Sequence, residues 1–295
     1  MADFLVAGAL GQVGQELRRH VGSRDAVFVD RATLDIGDAA AVTRCIATLK
    51  PRVVLNAAAY TAVDKAESEP ELAHQINSLA PGYLARACAE AGAALLHLST
   101  DYVFDGNGTQ PWREDDPVAP LSVYGASKLG GEIAVRTLLN RHVILRTAWV
   151  VSPFRGNFVK TMLRLAAERD ELRVVADQFG GPTMAADIAA ACWRIADRIA
   201  ASPEPAHFGT FHFAGQPHVS WHDFACAIIA ESARHGGRQP RVTAITTAEY
   251  PLPAPRPANS RLDGAKLERV HGIAMPDWRQ SLVTLIDELY SVPKP

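Results

Sequence analysis

The chain has 295 residues, 48% of them hydrophobic, and its 30 basic and 32 acidic side chains give a formal net charge of −2. This composition describes a globular protein with a sizeable core, and it excludes the basic field that nucleic-acid binding needs. No apolar stretch reaches membrane-spanning length and no basic leader precedes the first apolar run, so we expect a cytoplasmic protein with neither nucleic acid nor a membrane as a partner.

Short apolar runs alternate with longer Ala- and Leu-rich segments through the first half of the chain. The runs predict strands at 4–7, 27–29, 53–55, 95–98 and 143–145, and the segments predict helices near 11–21, 38–49, 70–91 and 122–140. Near-continuous apolar strands joined by helices are typical of a parallel sheet that is covered on both faces. The sequence therefore predicts an α/β fold built on a Rossmann-type, doubly wound parallel sheet.

The pattern loosens after Trp149. A helix near 156–169, a strand at 172–175, a helix near 184–201 and a strand at 210–213 are still indicated, and prolines at 251, 253, 255 and 257 crowd one later loop. We expect the strand at 210–213 to return to the sheet. The predicted division is a Rossmann domain made of 1–151 with 183–214, and a smaller, interleaved α/β substrate lobe made of 152–182 with 215–295.

A glycine-rich turn of Gly8, Gly11 and Gly14 follows the first predicted strand and opens the first predicted helix. Glycines in such a turn let the backbone approach a pyrophosphate, and the start of the helix offers free N–H groups to its oxygens. The turn thus indicates a dinucleotide site. Its spacing, G-x-x-G-x-x-G, differs from the usual G-x-G-x-x-G, so a plain structural turn stays open as an alternative.

Asp30 ends the second predicted strand and Arg31 follows it directly. An acid at this distance from the glycine turn favours a free ribose 2′-hydroxyl, whereas an arginine favours a 2′-phosphate. The pair therefore leaves NADH and NADPH both open as cofactors. A solvated pair of surface charges is the alternative.

Polar residues end the fourth predicted strand at Ser99, Thr100 and Asp101, at the edge where open α/β sheets bind ligands. Tyr124 and Lys128 follow on the next predicted helix, four residues apart and therefore on one face, where an ammonium beside a phenol favours the ionised phenol. We interpret Thr100 as a hydrogen-bond partner of a carbonyl oxygen and Tyr124 as the acid in hydride chemistry on a nicotinamide cofactor. A surface Tyr–Lys pair and a threonine that only caps a turn are the alternatives.

These residues, in this order, resemble the extended short-chain dehydrogenase/reductase superfamily and, within it, the dTDP-4-dehydrorhamnose reductase branch. The resemblance extends over nearly the whole chain. The strings specific to the branch are 56–67 and 99–104, and further matching strings are 11–14, 124–128, 146–150, 157–162, 177–183 and 256–262.

The resemblance implies NAD(P)H-dependent reduction of the C4 ketone of dTDP-4-dehydro-β-L-rhamnose to dTDP-L-rhamnose. It makes Tyr124 the proton donor, Lys128 the residue that binds the nicotinamide ribose and lowers the pKa of Tyr124, and Thr100 a partner of the carbonyl. The cofactor contacts that it implies are Gly11, Gln12, Val13, Asp30, Asp35, Ile36, Ala59, Tyr60 and Thr61. The substrate contacts that it implies are Thr100, Asp101, Tyr124 and Trp149, with Asn157, Gln178 and Arg261 as weaker candidates.

Trp149 and Arg261 have ordinary alternatives, as a core residue and a surface residue. The four cysteines form no C-x-x-C pair and the histidines have no acids at metal-ligand spacing, so we expect reduced thiols and no metal site. The resemblance alone introduces Mg²⁺, which some relatives hold at a subunit contact, and it leaves a homodimer open.

Three other functions stay open. A nucleotide-sugar dehydratase needs an acid after the hydroxyl-bearing strand end, where this chain has Tyr102, so elimination is disfavoured. A nucleotide-sugar 4-epimerase would keep Tyr124 and Lys128 but hold its dinucleotide permanently. A non-catalytic regulatory subunit, resembling the beta subunit of methionine adenosyltransferase, would not turn over the keto sugar by itself.

Overall fold

The computed structural model of the protein describes residues 2–291. The helices are α1 Gln12–Arg19, α2 Ala39–Leu49, α3 Val63–Ala66, α4 Pro70–His74, α5 Ala80–Ala91, α6 Val123–Leu138, α7 Phe158–Glu168, α8 Ala185–Ala201, α9 Trp221–Ala233, α10 Ala265–His271 and α11 Trp278–Ser291. The strands are β1 Phe4–Ala7, β2 Ala26–Val29, β3 Val53–Asn56, β4 Ala94–Thr100, β5 His142–Thr147, β6 Val150–Val151, β7 Glu171–Val175, β8 Phe179–Gly180, β9 Thr183–Met184, β10 Gly209–His212, β11 Val219–Ser220, β12 Arg241–Ile245 and β13 Asn259–Ser260.

Six strands form one parallel sheet in the order β2-β1-β3-β4-β5-β10. The strand order reverses between β1 and β3, which is the point where doubly wound sheets bind ligands. The register places Thr100 at the end of β4 beside Thr147 at the end of β5. The predicted doubly wound sheet is confirmed, and β10 returns to it as expected.

Side chains alternate between the two faces of the sheet, as the pleat requires. On β1, Phe4 and Val6 join the core beneath α1 and α8, whereas Leu5 and Ala7 join the core beneath α2, α5 and α6. These four residues are at most 5% exposed. Burial on both faces explains why the strands read as continuous apolar runs rather than as an alternating pattern.

The predicted helix over 70–91 is interrupted by a π-helical turn at Gln75–Leu79. Pro81 has no N–H to donate to the carbonyl of Asn77, and its ring crowds that carbonyl, so regular α-helix cannot run through. Gly131 of α6 fits against the displaced carbonyl, because a Cβ there would lie 2.1 Å from Asn77 O. The turn thereby brings Asn77 up to the helix that carries Tyr124 and Lys128.

The remaining strands form two- and three-stranded sheets around a separate apolar core. That core contains buried residues of α7, α9 and α11, such as Met162, Phe224 and Trp278. Helices α9 to α11 and strand β12 lie in the part that the sequence left without predicted elements. The exact bounds of the two lobes stay a prediction. Within residues 2–291, no helix is both long and apolar enough to cross a membrane.

Candidate functional site

Two glycines at the turn between β1 and α1 leave no room for a side chain. Gly8 has a φ of +86° and a Cβ there would lie 2.5 Å from Ala58 N, while a Cβ on Gly14 would lie 2.0 Å from Gly8 O. Gly11, the residue before α1, provides no side-chain cap for the helix. The first N–H groups of α1 are therefore left for an anionic ligand, so these residues fit a dinucleotide's diphosphate.

A cleft of about 750 Å³ opens over this turn. It gathers residues from the ends of β1, β2, β3, β4 and β5. Those predicted for the cofactor that line it are Gly8, Gly11, Gln12, Val13, Asp30, Arg31, Asp35, Ile36, Ala59, Tyr60, Thr61, Tyr124 and Lys128. Gly14 is the one predicted cofactor residue outside this lining, and it serves the close contact between α1 and the turn.

Asp30 uses its carboxylate inside its own loop. Its Oδ1 accepts hydrogen bonds from the backbone N–H groups of Ala32 and Thr33 at 3.0 Å and from the Thr33 hydroxyl at 3.0 Å. The backbone bond from Thr33 is the main reason that the pKa of Asp30 lies below its ordinary value. Arg31 is 80% exposed, and its closest acid is Asp35 at 3.9 Å. The arginine is therefore the freer of the two charges at this end of the cleft.

Tyr124 and Lys128 lie on the buried face of α6, as their spacing predicted. The ammonium of Lys128 donates to Leu98 O at 2.7 Å and lies 3.4 Å from His97 Nε2. Thr100, at the end of β4, donates to Asp101 Oδ1 at 3.0 Å and caps the turn at 101–103 by accepting from Tyr102 N. Thr100 thus caps this turn, as the alternative interpretation expected, and it also lies beside the phenol of Tyr124.

Burial governs the ionisation of this pair. It raises the pKa of Tyr124 to about 12, and the neighbouring Thr100 hydroxyl offsets only part of that effect. It lowers the pKa of Lys128 to about 8, against a smaller opposite effect of Glu132. The expected lowering of the Tyr124 pKa by Lys128 is not found; burial dominates, so at neutral pH the phenol keeps a proton that it can donate.

Several buried polar residues behind the pair were not singled out in the sequence. Asn56 Nδ2 lies 3.0 Å from His97 Nδ1, which places the imidazole between an amide and Lys128. Asn77 holds the backbone N–H and carbonyl of Tyr60 at 2.9 Å each and donates to Ser127 Oγ at 3.0 Å. Among these residues, only His97 had a signal in the sequence, as a polar residue inside the apolar run of β4.

Asp101 is 2% exposed, and burial raises the pKa of its carboxyl to about 6, although the neighbouring Ser260 and the hydrogen bond from Thr100 lower it. A folded-state pKa above the ordinary value of 3.8 means that the folded protein binds the proton more tightly than the unfolded chain. This group therefore stabilises the fold below the unfolded pKa and loses that contribution as pH rises through about 6.

Asp101→Asn should remove this pH dependence. The free energy of unfolding of the variant minus that of the parent should rise by roughly 2 kcal/mol between pH 4 and pH 7, because that range covers most of a shift of about two pKa units. Urea denaturation at a series of pH values measures this difference. A difference that stays constant with pH would contradict the raised pKa.

A second cavity, of about 780 Å³, lies between α7, β7, β12 and the proline-rich loop. Gln178, predicted for the substrate, lines it and donates to Thr247 Oγ1 at 3.0 Å. Tyr102 also lines it, and its ring contacts the ring of Tyr124 edge-on with centroids 5.4 Å apart. Because Tyr124 lines the cleft over the glycine turn, the two cavities abut at this pair of tyrosines.

The other predicted substrate residues lie around these cavities rather than in their lining. Trp149 has a φ of +51° and stacks on Trp221 with ring centroids 3.5 Å apart, and Trp221 itself lines the second cavity. Arg261 lies over the Phe179 ring at 4.5 Å and donates to Asn259 Oδ1 at 3.1 Å. Asn157 caps α7, and its amide reaches Gln12.

Arg256, which the sequence did not single out individually, lines the second cavity and pairs with Asp64 at 2.7 Å. A guanidinium there suits phosphate oxygens, so Arg256 is better placed than Arg261 for an anionic ligand in this cavity.

Glu231, His235 and Asp287 lie together on the surface, with ligand atoms within 4.8 Å of one another. Glu231 already pairs with Arg234 at 2.9 Å, and Asp287 pairs with His235 at 2.9 Å. One imidazole and two carboxylates in ion pairs do not match the oxygen-rich octahedral set that Mg²⁺ prefers. These residues therefore do not fit the Mg²⁺ site that the resemblance introduced.

Comparisons with known proteins agree with this geometry. The model of the family described as RmlD substrate binding domain matches residues 2–291. The dTDP-4-dehydrorhamnose reductase of Aggregatibacter actinomycetemcomitans is 46% identical over 287 residues, which are 96% of this chain and 97% of that one. The crystal structure of the reductase of the same name from Clostridium acetobutylicum has a TM-score of 0.91 at 40% identity, covering 97% of this chain and 99% of that one. The Bacillus anthracis reductase, solved in complex with NADP, has a TM-score of 0.89 at 34% identity, covering 98% and 100%.

Proposed function

The chain belongs to the RmlD substrate binding domain family, and from this membership we propose that it is an NAD(P)H-dependent oxidoreductase that reduces dTDP-4-dehydro-β-L-rhamnose to dTDP-L-rhamnose. The observation that carries the proposal is the meeting of Thr100, Tyr124 and Lys128 at the carboxyl edge of the sheet, beside the cleft over the glycine turn. A family relative in complex with NADP supports the choice of cofactor.

The cofactor would supply the hydride for C4 of the sugar. The protein's part begins with the glycine turn, where the open N–H groups of α1 would hold the diphosphate. Tyr60 and the small residues after β3 would line the flat side of the cleft, since Asn77 fixes the Tyr60 backbone in place. Lys128 would bind the nicotinamide ribose at the end of β4.

Reduction leaves negative charge on the ketone oxygen, and the residues at the sheet edge are arranged to meet it. Tyr124 would donate its proton to that oxygen, because burial keeps the phenol protonated at neutral pH. The hydroxyl of Thr100 would turn from Asp101 to the same oxygen, so that two donors stabilise the charge as it forms. The neutral and charged forms of Lys128 are close in energy at neutral pH, since its pKa is about 8.

The second cavity is the proposed place for the dTDP part of the substrate. Gln178 and Arg256 would contact it directly, whereas Trp149 would support it through the stacked ring of Trp221. Asp101 would orient Thr100, whereas Arg261, which lies over the ring of Phe179, would not contact the substrate directly. The tyrosine pair brings this cavity against the cofactor cleft, as transfer between sugar and nicotinamide requires.

Turnover of the purified chain tests the proposal. With dTDP-4-dehydrorhamnose present, we expect the absorbance of NADPH or NADH to fall and dTDP-L-rhamnose to accumulate. A chain that binds NADPH but never consumes it would instead be a regulatory subunit. A chain purified with a dinucleotide that does not exchange, and that inverts C4 without net reduction, would be an epimerase.

Arg31→Ala tests cofactor preference. We propose that NADPH is preferred, because Asp30 is held by its own loop while Arg31 is free to meet a 2′-phosphate. The variant should raise the KM of NADPH about tenfold and change the KM of NADH much less. Arg113→Ala, which removes another exposed arginine away from the cleft, is the matched control. Equal effects of Arg31→Ala on both cofactors would contradict the preference.

We also propose that the protein works as a homodimer in the cytoplasm. Leu79 and Ile133, on the π-helical turn before α5 and on α6, are 52% and 51% exposed, and apolar side chains exposed on neighbouring helices favour a subunit contact. All four cysteines are free, as in a reducing compartment. Sedimentation at several protein concentrations tests the dimer.

A further inference from the structure

The segment from 152 to 157 lies against the glycine turn from the other side of the cleft. Arg155 donates from Nε to Leu10 O at 2.8 Å. Gln12 Oε1 lies 3.1 Å from Asn157 Nδ2 and 3.2 Å from Ser152 Oγ. Both of these hydrogen bonds from the segment end on the side-chain carbonyl oxygen of Gln12, the first residue of α1.

The amide orientation of Asn157 is fixed by its role as a helix cap. Its Oδ1 accepts from Lys160 N at 3.2 Å, as an N-cap side chain does at the start of a helix. The other end of the amide is therefore the NH₂ group, which donates to Ser152 O at 2.7 Å and to Gln12. Since Nδ2 can only donate, the Gln12 atom that faces it must be the oxygen.

This orientation determines what Gln12 presents to the cleft. Its oxygen faces Asn157 and Ser152, and neither contact engages Nε2. Gln12 lines the cofactor cleft at the N-terminus of α1, where Gly11 gives no side-chain cap. Its NH₂ group therefore adds a side-chain donor to the backbone N–H groups of that helix end.

We propose that Asn157 is a positioning residue for the cofactor: it fixes the Gln12 amide so that Nε2 donates to the diphosphate of NAD(P)H. This inference rests on the proposed function. It gives Asn157 a role through Gln12 rather than a contact with the sugar. It also makes the segment from 152 to 157, which leads directly into α7 of the second cavity, part of the cofactor site.

Asn157→Ser separates this role from helix capping. Serine is a good N-cap, and in this chain Ser220 and Ser122 already cap α9 and α6 by accepting from the N–H three residues on, at 3.0 and 3.2 Å. A serine hydroxyl at 157 can keep the bond from Lys160 N but is too short to reach Gln12. Asn157→Ala loses both bonds and reports on the cap.

NADPH titration of the purified full chain, followed by protein fluorescence, gives the Kd. We expect Asn157→Ser to weaken NADPH binding about tenfold, the usual effect of losing a hydrogen bond to a charged group, with the loss in the Kd of NADPH and not in the KM of the sugar. Asn157→Ala should show the same loss and also a lower Tm. In a Gln12→Ala background, Asn157→Ser should cause no further loss, because its target is gone.

An unchanged Kd in Asn157→Ser, or a full tenfold loss in the Gln12→Ala background, would overturn the role of Asn157. A raised KM for the sugar without a change in the Kd of NADPH would also overturn it, by returning Asn157 to the sugar site. If the parent chain binds neither NADPH nor NADH, the proposed function is wrong, and that outcome is distinct from the other three.

Discussion

Replacing Tyr124 by phenylalanine should lower kcat by about 10²-fold or more while leaving the Kd of NADPH nearly unchanged. The ring of Tyr124 packs edge-on against Tyr102, and phenylalanine keeps that contact because only the hydroxyl is removed. What disappears is the proton that burial holds on the phenol, with its pKa raised to about 12. Single-turnover kinetics with saturating NADPH would isolate the chemical step.

Two further variants show whether the fall in kcat of Tyr124→Phe comes from the loss of a proton donor. Tyr102→Phe, which removes the neighbouring hydroxyl and keeps the ring, is the matched control and should cost far less. In Thr100→Val the second proposed donor to the ketone is lost, so a fall in kcat smaller than that of Tyr124→Phe is expected. Near-normal turnover of Tyr124→Phe would remove the tyrosine from the role of acid.

Glu132→Gln should destabilise the protein by about 3–5 kcal/mol, since it leaves the guanidinium of Arg146 buried without an anionic partner. Glu132 and Arg146 are 0% and 2% exposed, and two hydrogen bonds of 2.8 Å join them. Burial works to raise the pKa of Glu132, but the bonds and charge of Arg146 bring it below its ordinary value. Urea denaturation of parent and variant measures the cost.

A control uses the same carboxylate. Arg136 also pairs with Glu132, at 2.9 Å, but its side chain is 35% exposed, so Arg136→Ala should cost less than about 1 kcal/mol. The double variant Glu132→Gln with Arg146→Met removes the buried charge and should regain most of the loss. If Arg136→Ala costs as much as Glu132→Gln, burial is not the source of the effect.

The sheet could be predicted because its signal is local. Strands such as β3 and β4 are covered on both faces, and continuous apolar runs bounded by helices indicate that arrangement directly. The second lobe could not, because its two- and three-stranded sheets join distant segments, such as β7 with β12. The π-helical turn before α5 was missed although Pro81 lies in the middle of the predicted helix over 70–91. A proline signals a break there, but only the packing of Gly131 shows where the carbonyl of Asn77 goes.

The candidate site also divides into residues that the sequence could indicate and residues that only the structure brings together. Residues that follow one another along the cofactor cleft, from Gly8 to Thr61, come from strand ends whose positions the sequence indicates. Tyr124 and Lys128 needed only helical spacing. Contacts between distant segments needed coordinates: Asn157 reaches Gln12 across 145 positions, and Arg256 enters the second cavity from a proline-rich loop. No periodicity connects such pairs.

The contact between Tyr102 and Tyr124 links two properties that would otherwise vary independently: the room for the sugar, and the exclusion of water from the phenol of Tyr124. Tyr102 forms part of the boundary of one cavity, and the ring that it contacts carries the proposed acid of the other. A smaller residue at 102 would widen the room for a bulkier hexose and, in the same step, let water reach the acid. Engineering a broader choice of sugars through this position would therefore cost catalytic rate, and a variant that gains new sugars at full speed must be sought elsewhere in the cavity wall.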